Sequence, residues 1–241
     1  MIEIEKLTKR FGLFTAVDSI SFDVKPGQVL GFLGPNGAGK STTMKMITGF
    51  LAATSGEVRV CGHKVEGDAR DAKRVMGYLP EGAPSYGEMT VAQFLSFIAD
   101  VRQLKGAMRK QRTDIVIDQL NLHAVINQPI ETLSKGFKRR VGMAQAILHD
   151  PQVLIMDEPT DGLDPNQKHE VRELIKGMAE DKIVIISTHI LEEVDAVCSR
   201  AIIIARGRIV ADETPKSLLA RSPSGKLDDV FREITCAEVR S

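Results

Sequence analysis

The chain has 241 residues, enough for one large domain or a core domain carrying a sizeable insertion. Its 32 basic and 32 acidic residues cancel, so the totals lack the basic footprint of a protein whose main partner is nucleic acid. Cys61, Cys198 and Cys236 are scattered and form no CxxC, which argues against a disulfide framework and a zinc site; the longest apolar runs fall far short of the roughly 20 residues that span a bilayer.

Met1–Gly12 lacks the basic-then-apolar layout of a signal peptide. Ile2 and Ile4 alternate with Glu3 and Glu5, Ile20, Phe22 and Val24 alternate with polar residues, and Val58 and Val60 repeat the pattern. This period of two predicts half-buried antiparallel strands. Between them, Gln28–Leu33 reads as an apolar strand entering a glycine-rich turn, and Thr42–Leu51 as a helix with Met44, Ile47 and Leu51 on one stripe. From Thr90 to His149 the apolar residues recur at helical spacing (Val91, Phe94, Leu95, Ile98 and Val101, then Val141, Ala144, Ile147 and Leu148), which predicts a helical insertion over about 85–150. Beyond it, the unalternating runs Val153–Met156, Ile183–Ser187 and Ala201–Ala205 are separated by helical patterns near 166–179 and 190–198. Such runs indicate a parallel sheet buried on both faces. The α/β domain is expected to occupy 1–221. Ser222–Gly225 reads as a short linker, and 222–241 as that linker followed by an amphipathic helix over Leu227–Ile234.

Gly34, Pro35, Asn36, Gly37, Ala38, Gly39, Lys40, Ser41 and Thr42 fit G-x-x-x-x-G-K-[ST] between a strand and a helix. In that context, glycines let backbone N–H groups curl around phosphates, the lysine reaches the β- and γ-phosphates and the serine hydroxyl ligates Mg²⁺. The following helix points its positive end at the same anion. Downstream, the apolar strand Val153–Met156 ends in Asp157 and Glu158, where the first acid suits a metal and the second can polarise a water. The strand Ile183–Thr188 ends in His189, one strand–helix unit further on, where it can lie beside Glu158 and sense a γ-phosphate.

Five features in this order make a family pattern: GPNGAGKST at 34–42, YLPE at 78–81, LSKGF at 133–137, LIMDEP at 154–159 with GLDP at 162–165, and STH at 187–189. Over essentially its whole length the chain resembles the nucleotide-binding subunit of an ABC transporter, with the variant motifs and C-terminal ending of bacterial exporter-type systems. The resemblance implies a phosphate-loop (RecA-like) parallel sheet core with an N-terminal antiparallel β subdomain and a helical insertion. It implies ATP and Mg²⁺ as cofactors, Phe11 stacking on adenine with Val17 nearby, Glu158 as catalytic base, His189 on the γ-phosphate and Asp164 in the loop joining two active sites. Ser134 and Gly136 would meet the ATP of a second subunit. Two positions depart from the family pattern. Lys135 replaces the first glycine of the LSGGQ signature and Phe137 its glutamine, and Glu81 replaces the glutamine that ligates Mg²⁺, where a carboxylate offers the same oxygen with more charge.

The expected function is therefore ATP hydrolysis that powers a separate integral membrane permease. The expected partners are a second copy or a homologous ATPase subunit, paired head to tail, and no nucleic acid. The expected location is cytoplasmic, peripheral at the inner face of the cell membrane. The alternative is a soluble ABC ATPase acting on DNA or ribosomes. The DNA-repair kind inserts a long coiled coil, whereas only about ninety residues without sustained heptads separate the phosphate loop from the signature here.

Overall fold

The computed structural model describes residues 1–67, 69–222 and 227–240, the last five as helical backbone. Residues 223–225 of the expected linker lie outside the described residues. The chain opens with β1 (Ile2–Phe11), β2 (Phe14–Val24), β3 (Val29–Leu33), α1 (Lys40–Ile47), β4 (Ser55–Val60) and β5 (His63–Lys64). It continues through α2 (Arg70–Arg74), β6 (Met76–Leu79), α3 (Val91–Val101), α4 (Gly106–Gln119) and α5 (Lys135–Ile147). The remainder is β7 (Val153–Asp157), α6 (Pro165–Ala179), β8 (Ile183–Thr188), α7 (Leu191–Val197), β9 (Arg200–Ala205), β10 (Arg208–Glu213), α8 (Pro215–Ala220) and α9 (Leu227–Arg240).

The alternating strands form an antiparallel sheet in the order β2-β1-β4-β5, and the apolar runs form a second sheet in the order β10-β9-β3-β8-β7-β6. The lack of alternation in that second sheet has a direct cause. Val153, Ile155, Ile183 and Ile185 point into a core shared with β1, β2 and α1, while Leu154, Met156, Val184 and Ile186 point into a core shared with α3, α4 and α5. The apolar residues of β7 and β8 therefore have matter to bury against on both faces, and polar residues enter only at the C-terminal ends, as Asp157, Ser187 and Thr188.

The helical insertion is built onto the second of those cores, and α5 returns to the sheet. A side chain at Gly77 in β6 would come within 2.1 Å of the Ala146 carbonyl of α5, so glycine is what lets the helix close on the strand. The sequence reading lacked β6, whose four residues include that glycine, and β10. The second sheet is accordingly not all parallel, because β10 folds back antiparallel on β9. The turn between them, Arg206 and Gly207, has φ of 48° and 80°, the two consecutive positive values of the tight hairpin turn that matches strand twist. Helix α1 starts at Lys40 rather than Thr42 and stops at Ile47, where Thr48 Oγ1 donates back to the Met44 carbonyl at 2.9 Å and Gly49 turns with φ of 66°. Leu51 thus lies beyond the helix.

Candidate active site

Parallel pairing aligns the C-terminal ends of three strands. Leu33 of β3 is level with Thr188 of β8, and Asp157 of β7 is level with Ser187. The phosphate loop, the acidic pair and His189 therefore leave the sheet side by side, at the edge where parallel α/β sheets bind ligands.

Residues Gly34–Gly39 join β3 to α1 under tight steric limits. A Cβ at Gly34 would lie 2.4 Å from the Ile204 carbonyl of β9, and one at Gly39, whose φ is 109°, would lie 2.5 Å from the Ala16 carbonyl of β2. Pro35, Asn36 and Gly37 are exposed, Ala38 is buried, and the Ala38 carbonyl accepts from Gly207 N–H at 2.9 Å. Lys40 is buried, and its Nζ donates to the carbonyls of Gly34 at 2.7 Å and Pro35 at 3.3 Å. Burial pulls its pKa down, and the charges of Glu158, Asp157 and Glu81 push it back up. The lysine and all three predicted carboxylates thus share one neighbourhood. Ser41 and Thr42, half-buried, begin α1 beside it.

Asp157 is almost completely buried; its Oδ1 accepts from the Ser187 hydroxyl, while its Oδ2 is buried with no hydrogen-bond partner. A bare buried carboxylate oxygen is expensive unless it meets a cation. Together with the Ser41 hydroxyl and the exposed Glu81 carboxylate it would offer oxygen donors of the kind Mg²⁺ prefers. Glu158 follows in the left-handed region at φ 52°, a conformation that costs a non-glycine residue of order 1–3 kcal/mol. Its backbone N–H donates to the Ser187 carbonyl at 2.9 Å, and its Oε1 lies 2.9 Å from His189 Nδ1.

Arg139 of α5, which the sequence reading missed, fastens this turn. Its guanidinium donates to the carbonyls of Pro159 at 3.2 Å and Pro80 at 3.3 Å, and to those of Asp157 and Glu158. One buried cation therefore holds the strained acidic turn to the loop that carries Glu81. The signal in the sequence was the pair Arg139-Arg140 leading directly into the buried stripe of an apolar helix. Arg140 meets Glu170 at 2.9 Å and lies over the Phe137 ring.

The signature residues take a different position. Ser134 caps α5, accepting from Phe137 N–H at 3.3 Å, and Gly136 is pressed on Gln167, where a Cβ would fall 2.6 Å from Oε1. Lys135 reaches back to Asp161 at 2.8 Å and lies across Gly162. Asp164 caps α6, accepting from Gln167 N–H at 3.0 Å. Among the described residues, no hydrogen bond joins Ser134 or Gly136 to the phosphate loop of the same chain. Phe11 is 49% exposed at the end of β1, with the Lys9 ammonium over its ring, Nζ 5.1 Å from the ring centre. Val17, expected near the base, is fully buried, because it occupies an inward position of β2. It backs the loop at Gly39 and offers no surface to a ligand.

The profile of the family described as "ABC transporter" matches residues 17–161. The chain is 36% identical over 97% of its length to the probable multidrug ABC transporter ATP-binding protein YbhF of Escherichia coli (strain K12), but spans only 40% of that relative. It is 35% identical to the Nod factor export ATP-binding protein I of Paraburkholderia xenovorans (strain LB400), covering 95% of this chain and 76% of the relative. Among solved structures, one described as the ATP binding subunit of an ABC transporter superposes with a TM-score of 0.89 at 28% identity, covering 98% of this chain and 99% of the other. Loop, acidic turn and signature all lie within residues 17–161, and the chain belongs to the ABC transporter family, among its ATP-binding subunits.

Proposed function

We propose that this chain binds MgATP and hydrolyses it to drive a separate membrane-spanning subunit, working head to tail with a second copy or a close homologue. The observation that carries the reading is the approach of His189 Nδ1 to Glu158 Oε1 at 2.9 Å, beside the buried Lys40 and the uncommitted Asp157 oxygen. Lys40 and the loop N–H groups would neutralise and orient the phosphates, and Phe11 would stack on the base. Ser41, Asp157 and Glu81 would hold Mg²⁺, which when bound offsets charge on the β- and γ-phosphates. Glu158 would take a proton from the attacking water, and His189, itself held by Glu158, would face the γ-phosphate.

The signature supports pairing. Ser134 and Gly136, at the start of α5, make no hydrogen bond to their own phosphate loop among the described residues, which suits a role towards a nucleotide held by another subunit. Attachment to a membrane subunit is supported by relatives named for multidrug and Nod factor export. It is also supported by the absence, among the described residues, of any helix able to cross a membrane. The attachment face would be the groove between α2 and α3, a cavity of about 790 Å³ lined by Phe50, Arg74, Tyr78, Val101 and Arg102 among others. Exposed Tyr86 stands edge-on to Phe97 of α3, with ring centres 5.5 Å apart. We place the working location at the inner face of the cell membrane on the same grounds.

Glu158→Gln tests the reading. It preserves shape and removes the base, so turnover should fall ~10²–10⁴-fold with ATP still bound, and the protein should accumulate as a dimer on a sizing column under saturating MgATP. A loss smaller than tenfold contradicts the assignment.

A further inference from the structure

Behind His189 lies a buried glutamate that none of the family motifs includes. Glu193 of α7 is 4% exposed, and its Oε2 lies 3.0 Å from Thr188 Oγ1. Thr188 is itself fully buried, and its hydroxyl has three neighbours. It accepts from Ile190 N–H at 3.1 Å, and two carboxylates compete for its single hydrogen, Glu193 Oε2 at 3.0 Å and Glu158 Oε2 at 3.4 Å. A hydroxyl has one proton to give. The shorter contact takes it, and Glu158 Oε2 keeps its lone pairs.

The other oxygen of Glu193 has a separate setting. Glu193 Oε1, Arg172 Nε and Thr160 Oγ1 are buried, have no hydrogen-bond partner, and border one small void of about 10 Å³ between α6 and α7. That volume and three polar neighbours suit a single bridging water. Thr160 begins the turn that runs through Asp161 to Asp164. Lys168 and Arg172 face the glutamate with positive charge, and Glu158 faces it with negative charge.

We infer that Glu193 is a positioning residue for hydrolysis. By drawing the Thr188 hydrogen to itself, it leaves Glu158 Oε2 unengaged and fixes the Thr188–Ile190 turn that aims His189, and through the void it ties both to Thr160. The inference rests on the proposed role of Glu158 as base. Without an acceptor at 193, the Thr188 hydroxyl turns to Glu158 and occupies the oxygen that must receive the proton from water.

The test measures ATPase steady-state kinetics of the full chain, with ATP binding and thermal melting followed in parallel. Glu193→Gln retains a carbonyl oxygen for Thr188 and should stay within about threefold of wild type. Glu193→Leu should lower kcat at least tenfold, with KM and ATP affinity changed less than twofold. Thr188→Val removes the hydroxyl through which Glu193 acts, so in the double variant the two losses should be less than multiplicative. Thr188→Ser should restore activity. If Glu193→Leu keeps full kcat while melting as wild type, or raises KM as much as it lowers kcat, the inference falls. If Glu193→Leu unfolds, the Gln variant decides, and a tenfold loss in Glu193→Gln overturns it. A loss in Glu158→Gln smaller than tenfold would instead remove the underlying base assignment, whatever the 193 variants do.

Discussion

His149, on the short loop after α5, provides a measurable link between pH and stability. Its Nε2 lies 2.9 Å from the Met76 carbonyl, its Nδ1 is buried without a partner, and it borders the groove proposed for attachment. Burial, reinforced by the positive charges of Arg102 and Arg112, pushes its pKa from 6.5 down to about 4, against the opposing pull of the Met76 bond. The folded ring therefore resists a proton that the unfolded chain accepts readily. Stability is complete above 6.5, falls as the pH drops from there towards 4, and levels off below that. At pH 5 the unfolded ring is almost wholly charged and the folded ring about one-tenth charged, which amounts to a loss of about 2 kcal/mol relative to pH 7.5. For a protein of this size that is a shift of roughly 4–8 °C in Tm. His149→Gln can still donate to Met76 but does not titrate. Urea unfolding of both proteins at pH 7.5 and pH 5 should show the wild type losing about 2 kcal/mol more than the variant, with carboxylate titrations common to both cancelling. Parallel curves would refute the reasoning, as would a wild type that loses less.

Lys40→Ala should reduce ATPase activity at least ~100-fold and weaken ATP binding, because it removes the cation aimed at the phosphates; unchanged turnover would exclude the lysine. Arg139→Met keeps length and burial but strips donors from four carbonyls at the acidic turn. It should cost about 3–5 kcal/mol in urea unfolding and lower turnover as well, and a cost under 1 kcal/mol would show that the turn holds itself. Glu81→Gln should keep activity, since an amide oxygen still reaches Mg²⁺, whereas Glu81→Ala should require more Mg²⁺ for half-maximal rate. Superimposable Mg²⁺ titrations for wild type and Glu81→Ala would dismiss the ligand role.

The residues legible in the sequence were those whose chemistry is carried by spacing along the chain. Gly34 to Ser41 form one contiguous motif, and the run from Val153 to Asp157 announces both a buried strand and the acid at its end. Arg139 and Glu193 were not legible, because their roles depend on chain segments that meet only after folding. Arg139 serves carbonyls 18 to 59 residues away, and a carbonyl leaves no trace in side-chain pattern. The burial of Val17 was not legible for a related reason: the family pattern places it near the base, but the face of β2 it takes is fixed by the packing around Gly39. Of the missed strands, β6 is short and contains a glycine and β10 carries charge at both ends, so their pairing is decided by neighbours rather than by their own periodicity.

The neighbours of β3 set an order on the birth of this protein. Its flanking strands, β8 and β9, both lie more than 150 residues further along the chain. During synthesis from the N-terminus, β3 must wait with both edges unpaired until β8 is made, and with one edge unpaired until the ribosome has delivered residue 205. The antiparallel β1–β2 hairpin and α1 can form early, but the carbonyl of Ile204 that limits Gly34 arrives 170 residues later. A nascent chain halted before Ile183 would hold the full phosphate-loop sequence without the strands that flank β3, and so without the geometry that surrounds its glycines.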